Sequence, residues 1–238
     1  MKGSLIGIGV GPGDPELLTI KAVKAIEKAD LIIAPCSRAE EDSIALDIVK
    51  EYIKEATEVR KRVFPMVTCK ETLKQHWEEN AREIMGELEN NKQVVFLTLG
   101  DPMLYSTYIY INRLIADGGY SVATVPGITS FGAIACRLNI PLAEGNEPLL
   151  IYPLGKNTRA LEKALELGVE AVVMKASQNP TGLAALIEAN SLEDSFVVVS
   201  KCGQDKETIS NNIEVLKQER LPYLSTVLIK SKPIERKW

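Results

Sequence analysis

Short apolar runs alternate with amphipathic segments along the whole chain, and this alternation restricts the fold more than any other feature. The runs at 5–10, 93–100 and 120–126 are predicted strands, whereas 18–29 and 69–89 have the residue spacing of helices. Strands that alternate with helices favour an α/β fold with largely parallel sheets. Such sheets bind ligands at the carboxyl ends of their strands, so the loops that follow the strands are the candidate sites.

The segment 139–148, NIPLAEGNEP, indicates a boundary between two α/β domains, because it combines two prolines, a glycine and acidic residues. We predict domains at 1–140 and 141–238. The second domain has the same alternating pattern, with predicted strands at 149–154, 170–176, 195–203 and 224–230 and predicted helices at 158–167, 181–190 and near 208–218.

The residue types present exclude several kinds of active site. The single histidine, His76, rules out a zinc site with two histidines and the HExxH motif. The four cysteines form no CxxC pair, which argues against zinc or iron–sulfur ligation. We therefore expect no protein-bound metal and a reducing, cytoplasmic compartment. His76 lies in a charged, helix-like stretch and is expected to be exposed and outside the site.

Charge and hydropathy restrict the partners. The net charge of −4, from 28 basic and 32 acidic residues, disfavours broad electrostatic binding of nucleic acid. The sequence contains no run of about 18 apolar residues, the length of a membrane span. Glycines and prolines interrupt the N-terminal apolar run too early for a signal peptide. We expect no nucleic-acid partner and no membrane association.

The loop after the first strand reads GIGVGPGDP and begins at Gly7. It does not fit the dinucleotide fingerprint GxGxxG, because the sixth position is Pro12 when counted from Gly7 and Asp14 when counted from Gly9. Glycines allow close approach of the backbone, and prolines stiffen it. The loop suits a wall against a ligand, with a tight strand-to-helix turn as the alternative.

Two further loops of this kind follow predicted strands. In LGDPMLYS, Asp101 is suited to bind a ribose hydroxyl or to cap a helix. In VPGITS, Thr129 and Ser130 stand at a predicted helix start, where hydroxyls and free amides bind a carboxylate or cap the helix. Three such loops in one domain indicate a ligand site more strongly than any one of them.

Together the segments GIGVGPGDPELLTIKAVKAIEKADLI, LGDPMLYS and VPGITSF resemble the tetrapyrrole (corrin/porphyrin) methylases, in order and in spacing. The resemblance extends over essentially the whole chain. It implies a class III methyltransferase fold, with two α/β domains and a ligand cleft between them. It also implies S-adenosylmethionine as methyl donor, a tetrapyrrole substrate and a homodimer.

The resemblance also implies roles for individual residues. The expected cofactor-binding residues are Val10, Gly100, Asp101, Leu104, Thr129, Ser130, Met174, Cys202 and Thr226. The expected substrate-binding residues are Pro12, Arg38, Tyr152 and Lys201. For Met174, Cys202 and Thr226 the alternative is a structural role, for Tyr152 capping of the sheet, and for Arg38 and Lys201 solvated surface charge. The basic run at 60–62 is left out of the site, because strand alternation would divide it between two faces of a sheet.

Within the family, the segments APCSRAEEDSIALDIVKEYI, PGITSFGAIACRLNIPLAEGNEPLLIYPL and SKCG resemble the members that methylate C20 of precorrin-2 or of cobalt-factor II. That activity requires little side-chain chemistry, because the sulfonium methyl is already an electrophile and positioning supplies most of the rate. No catalytic base is identified. Two alternatives remain: methylation of another carbon or another acceptor, and a non-catalytic nucleotide-binding module.

Overall fold

A computed structural model of the chain describes residues 3–37, 42–65, 69–218 and 220–235. Internal contacts group the chain into two compact units, Met1–Thr129 and Ser130–Trp238. Each unit contains one five-stranded sheet with helices. The domain boundary predicted between residues 140 and 141 stays a prediction. Within the described part of the chain, no helix combines the length and the apolar character needed to cross a bilayer.

The first unit alternates strands with helices as predicted. Its strands are β1 (Ser4–Gly9), β2 (Leu31–Cys36), β3 (Glu58–Val63), β4 (Gln93–Thr98) and β5 (Ser121–Val125). Its helices are α1 (Ile20–Ile26), α2 (Ile44–Val49), α3 (Lys70–Glu89) and α4 (Tyr108–Asp117), with short 3₁₀ turns at Pro15–Leu17 and Lys50–Tyr52. Hydroxyl caps begin two of the helices, because Thr19 accepts from Ala22 N and Ser43 accepts from Leu46 N.

All five strands of the first sheet are parallel, in the order β3-β2-β4-β1-β5. The central strands are continuous apolar runs because helices cover both faces. One face buries Ile8 and Val95 under α1 and α2, and the other buries Leu5 and Phe96 under α3 and α4. The register pairs Gly9 with Thr98, so the carboxyl ends of β1 and β4 lie side by side.

The edge strand β3 shows the alternation expected for its basic residues. Arg60 and Arg62 point to α3 and form ion pairs with Glu83, and Arg60 also pairs with Glu87 at 2.6 Å. Lys61 points the other way and pairs with Asp42 at 2.8 Å. The prediction that this run divides between two faces is confirmed, and its side chains are used in structural ion pairs.

The second unit begins with helix α5 (Ser130–Leu138). Its strands are β6 (Leu149–Pro153), β7 (Glu170–Met174), β8 (Phe196–Ser200), β9 (Thr208–Ser210) and β10 (Ser225–Ile229). Its other helices are α6 (Arg159–Glu166), α7 (Pro180–Ala189) and α8 (Glu214–Lys217), with a 3₁₀ turn at Ala176–Gln178. The sheet order is β6-β7-β10-β8-β9.

The expectation of largely parallel sheets is wrong for this second sheet. Only β6 and β7 pair in parallel, whereas β10 is antiparallel to both β7 and β8. The cause is β9, which lies where a helix near 208–218 was expected and pairs antiparallel with β8. Because β9 reverses the chain direction, the crossover through α8 lays β10 parallel to β9 and therefore opposite to β8.

Candidate functional site

Three glycines stand where β1, β4 and β5 end, and at two of them, Gly9 and Gly127, the neighbouring backbone is too close for a side chain. A Cβ added to Gly9 would lie 2.6 Å from the Gly100 carbonyl oxygen and 2.6 Å from Gly127 Cα. A Cβ added to Gly127 would lie 2.6 Å from the Gly9 carbonyl carbon. Close backbone approach therefore explains Gly9 and Gly127 in the sequence.

The first two loops are joined by backbone hydrogen bonds just beyond the sheet. Gly11 and Gly100 form an antiparallel bridge, in which Gly100 N donates to Gly11 O at 2.8 Å and Gly11 N donates to Gly100 O at 3.3 Å. Both glycines have left-handed φ values, +77° and +71°. No atom lies within 4 Å of the position that a Gly100 Cβ would take. Gly100 thus leaves open space in front of the strand ends, as close approach of a ligand requires.

Asp101 connects the second loop to the third. Its Oδ1 accepts from Met103 N at 2.9 Å, and its Oδ2 accepts from Gly127 N at 3.1 Å. The carboxylate therefore caps the turn after β4. The start of helix α4 is capped by a different residue, because the N–H of Tyr108, the first residue of α4, donates to Ser106 Oγ. An ionised carboxylate has about four acceptor positions, so Asp101 keeps capacity for a ligand hydroxyl.

The other residues expected in this unit differ in accessibility. Val10 is fully buried in the core, so only its backbone is available to a ligand. Pro12 is buried, whereas Leu104 and Thr129 are half-buried. Ser130 is the first residue of α5, as predicted. Arg38 lies outside the described residues.

Thr98, the last residue of β4, is a candidate that the sequence reading missed. Thr98 is 8% exposed, and its Oγ1 has no hydrogen-bond partner. Among the described residues, every other buried side-chain oxygen or nitrogen has a partner. A buried hydroxyl without a partner costs about 1–3 kcal/mol. Its position beside the Gly100 loop suits a group that a ligand or a water completes. Its place at a predicted strand end was the available signal.

The candidate residues of the second unit lie along one edge of its sheet, the edge formed by the ends of its strands and not by an outer strand. Met174 ends β7 and pairs with Pro153, the last residue of β6. Ser200, which ends β8, pairs with Ser225, which begins β10. Because β10 is antiparallel to its neighbours, its first residues lie at the same edge as the carboxyl ends of β6, β7 and β8. This edge includes Tyr152, Met174, Lys201, Cys202 and Thr226.

The loop after β8 is fixed by Glu207. That carboxylate accepts from Gly203 N at 2.9 Å and pairs with Arg137 at 3.2 Å. Burial, together with Glu207, raises the pKa of the Cys202 thiol to about 11. Cys202 is therefore a protonated, buried thiol at neutral pH and is unsuited to nucleophilic catalysis. Lys201 is half-buried and has a left-handed φ of +54°.

The remaining predicted residues of this edge are strand residues. Thr226 is 6% exposed in the centre of the sheet, and Met174 is half-buried. Tyr152 is half-buried, and its hydroxyl donates to the Asn157 carbonyl oxygen. His76 lies on α3 with 39% of its side chain exposed. Its predicted exposure is met in part, because the residue as a whole is half-buried.

The arrangement of these loops can be compared with known proteins. A family model described as Tetrapyrrole (Corrin/Porphyrin) Methylases matches residues 4–216. The chain belongs to this family. The methylase is 36% identical to a probable cobalt-precorrin-2 C(20)-methyltransferase of Methanocaldococcus jannaschii, with 94% of each chain covered. It is 34% identical to the cobalt-precorrin-2 C(20)-methyltransferase of Salmonella typhimurium, covering 96% of this chain and 97% of that protein.

Solved structures agree with the methylase in fold. A cobalt precorrin-4 methyltransferase matches with a TM-score of 0.78 and 22% identity, over 97% of this chain and 96% of that chain. A uroporphyrin-III C-methyl transferase from Thermus thermophilus, solved with S-adenyl homocysteine, matches with a TM-score of 0.69 and 20% identity, over 98% of each chain. The predicted α/β, tetrapyrrole methylase-like fold is confirmed.

Proposed function

We propose that this methylase transfers the methyl group of S-adenosylmethionine to C20 of precorrin-2 or of its cobalt form, in corrin synthesis. The observation that carries the proposal is the 34–36% identity, over nearly the full chain, to two proteins named for C20 methylation of cobalt-precorrin-2. Membership of the tetrapyrrole methylases supports the class of reaction, and the two relatives support the position and the substrate.

The three strand ends of the first unit fit S-adenosylmethionine. Open space at Gly100, the spare acceptor positions of Asp101 and the unpartnered hydroxyl of Thr98 together offer a cradle of backbone and small polar groups. We assign Val10 to this cradle through its backbone, with Leu104, Thr129 and Ser130 as further contacts. Pro12 and Arg38 are assigned to the tetrapyrrole.

The second unit supplies the remaining contacts at the edge described above. Half-buried Met174 offers an apolar surface for adenosine, with Cys202 and Thr226 beside it. Lys201 is assigned to the substrate, because a cation suits its carboxylates. Tyr152 is assigned to the substrate as a half-buried side chain of the same edge and not as a hydroxyl donor, because its hydroxyl proton is already donated to the Asn157 carbonyl oxygen. The prediction of a ligand cleft between the domains stays untested.

Positioning explains the reaction with these groups. The bound cofactor supplies a methyl group that is already activated as an electrophile. The chain's own residues hold the two reactants in line and keep water away, which lowers the barrier without a charged catalytic side chain. The buried, glycine-lined loops suit both tasks. No residue is assigned as the base that removes the C20 proton.

Cofactor binding is tested by calorimetry with S-adenosylmethionine. The Asp101→Asn variant loses the negative charge but keeps one acceptor oxygen, so we expect it to fold. Its affinity for the cofactor should fall by at most about ten-fold. Asp117→Asn, which changes an exposed carboxylate at the end of α4 in the same way, is the matched control and should bind normally. Absence of binding to folded wild-type protein would refute the cofactor assignment.

The substrate is tested by incubating the protein with precorrin-2 and with cobalt-factor II. Mass spectrometry should detect the exchange of one hydrogen for one methyl group, and carbon NMR should locate it at C20. Comparison of the two substrates decides whether cobalt is already present. A product methylated at another carbon would reject the C20 assignment.

We further propose a cytoplasmic homodimer whose domains divide near residues 140 and 141. The four cysteines, which all lie within the described residues, form no disulfide bond, and this is compatible with a reducing compartment. Light scattering on the purified protein tests the dimer, and a monomeric mass would refute it. Limited proteolysis tests the boundary, with cleavage expected inside 139–148.

A further inference from the structure

A pocket of about 310 Å³ lies beside the carboxyl end of β6. The described residues that line it are Tyr152, Asn157, Arg159, Ala160 and Lys163. Its volume is at the lower limit of small-molecule pockets, so it accommodates one substituent of a large ligand and not the whole ligand. We call it the α6 cation pocket.

Two positive charges in this pocket have no carboxylate partner. Arg159 and Lys163 are four residues apart on α6 and therefore share one face of the helix. Neither side chain forms an ion pair with any residue that the structure describes, and the lining drawn from those residues contains no carboxylate. The amino-terminal end of α6 adds to the positive potential.

The walls of the pocket are fixed by local hydrogen bonds. The Tyr152 hydroxyl donates to the Asn157 carbonyl oxygen, and Asn157 Oδ1 accepts from Arg159 N at 3.1 Å. The loop between β6 and α6 is therefore held in place before a ligand arrives. A preformed, positively charged recess is suited to a carboxylate, which a guanidinium binds with two parallel hydrogen bonds.

We propose that the α6 cation pocket binds a carboxylate side chain of the tetrapyrrole substrate, with Arg159 and Lys163 as the recognition residues. The inference rests on the proposed function, which supplies a substrate with many carboxylates. The other source of the same chemistry is the carboxylate of S-adenosylmethionine.

The position of the pocket within the sheet favours the tetrapyrrole. The order β6-β7-β10-β8 places β6 three strand intervals from β8, which is about 14 Å at the usual strand spacing. Lys201 follows β8 at the same edge. A broad, flat substrate with carboxylates on its periphery can therefore contact the pocket beside β6 and, at the same time, Lys201 beyond β8.

The test measures the binding of two ligands to the Arg159→Gln/Lys163→Gln variant. Uroporphyrin III, a tetrapyrrole with carboxylates around its whole periphery, is titrated with porphyrin fluorescence as the signal. S-adenosylmethionine is titrated by calorimetry. We expect the dissociation constant for uroporphyrin III to rise about two- to thirty-fold, the combined loss expected for two exposed charge contacts, while the constant for S-adenosylmethionine stays unchanged. The KM for the tetrapyrrole should rise in proportion, with kcat unchanged.

Two further variants separate the pocket from general charge effects. Lys21→Gln/Lys24→Gln removes the same charge from exposed positions on α1 and should bind both ligands normally. Arg159→Lys/Lys163→Arg retains both charges and should keep most of the affinity for uroporphyrin III.

Four outcomes would overturn the inference. If Lys21→Gln/Lys24→Gln weakens the binding of uroporphyrin III equally, the effect comes from the net charge of the protein and not from the pocket. Loss of affinity for S-adenosylmethionine alone would assign the pocket to the cofactor. If the wild-type protein methylates tetrapyrroles but Arg159→Gln/Lys163→Gln binds uroporphyrin III with unchanged affinity, the pocket is refuted and the proposed function stands. A folded wild-type protein that binds neither ligand would refute the proposed function and the pocket with it.

Discussion

Replacing Gly127 with alanine should destabilise the protein strongly, because Gly127 packs directly on the backbone of two other strand ends. Its φ is not in the left-handed region, so the effect is steric and does not involve backbone strain. The new Cβ would lie 2.6 Å from the Gly9 carbonyl carbon and closer still to the Gly100 carbonyl oxygen. Both obstacles are backbone atoms, so no change of side-chain rotamer relieves the clash.

The magnitude follows from the displacement required. An ordinary contact begins at 3.4 Å, so the Gly9 carbon must retreat by 0.8 Å. Gly9 ends the interior strand β1, and the next residue, Val10, donates to Thr98 O at 2.9 Å. Overpacking costs about 1–3 kcal/mol, and a weakened hydrogen bond adds about 1 kcal/mol. We expect about 3 kcal/mol in total, which lowers Tm by roughly 6–12 °C for a chain of this size.

Gly86→Ala is the matched control. Gly86 lies inside α3, and no atom is within 4 Å of the position of its added Cβ. Alanine is the better helix former, so this variant should gain about 0.5–1 kcal/mol. Thermal and urea unfolding, followed by circular dichroism, measure both variants. A Gly127→Ala protein that unfolds at the wild-type temperature would refute the close packing of the three strand ends.

Three further predictions concern side chains outside this junction. Hydrogen bonding to Arg62 lowers the pKa of Glu83 below its usual value of 4.5. A carboxyl group whose pKa is lowered by folding stabilises the fold at pH values above its pKa in the unfolded chain, and this stabilisation is lost as the pH falls. The Tm difference between wild type and Glu83→Gln should therefore shrink below pH 4.5. A hydrogen bond from Thr72 lowers the pKa of exposed Cys69, whereas burial raises the pKa of Cys202 to about 11. Iodoacetamide should therefore label Cys69 before Cys202 near neutral pH. Equal labelling of the two thiols, measured by mass spectrometry, would contradict the burial of Cys202. His76→Ala should leave turnover nearly unchanged, and a large loss of activity in a well-folded variant would place His76 in the site after all.

The first sheet was predictable because its central strands are covered on both faces. Burial on two sides requires continuous apolar runs, and these stand out between amphipathic helices. The second sheet was only partly predictable. The missed strand, Thr208–Ser210, has three residues, too few for a periodic signal, although the β-branched Thr208 and Ile209 favour a strand. Missing this one element changed the predicted direction of β10.

The candidate site divides in the same way. Strand-end positions identified Gly100, Asp101 and Lys201, because the residue that follows a strand can be found by counting along the chain. The pattern did not reveal the missing hydrogen-bond partner of the Thr98 hydroxyl or the role of Glu207. Both depend on atoms that are distant in sequence and meet only after folding.

The sequence by itself determined the family, the order of the elements and the loops that follow the strands, since these depend on local periodicity and on residue types at fixed spacing. The tertiary structure alone decided what each loop residue does. The side chain of Val10 lies in the core, both Asp101 oxygens accept backbone N–H groups, and Gly9 and Gly127 are glycines because two backbones touch. These roles follow from packing between segments far apart in the chain, which no local pattern encodes.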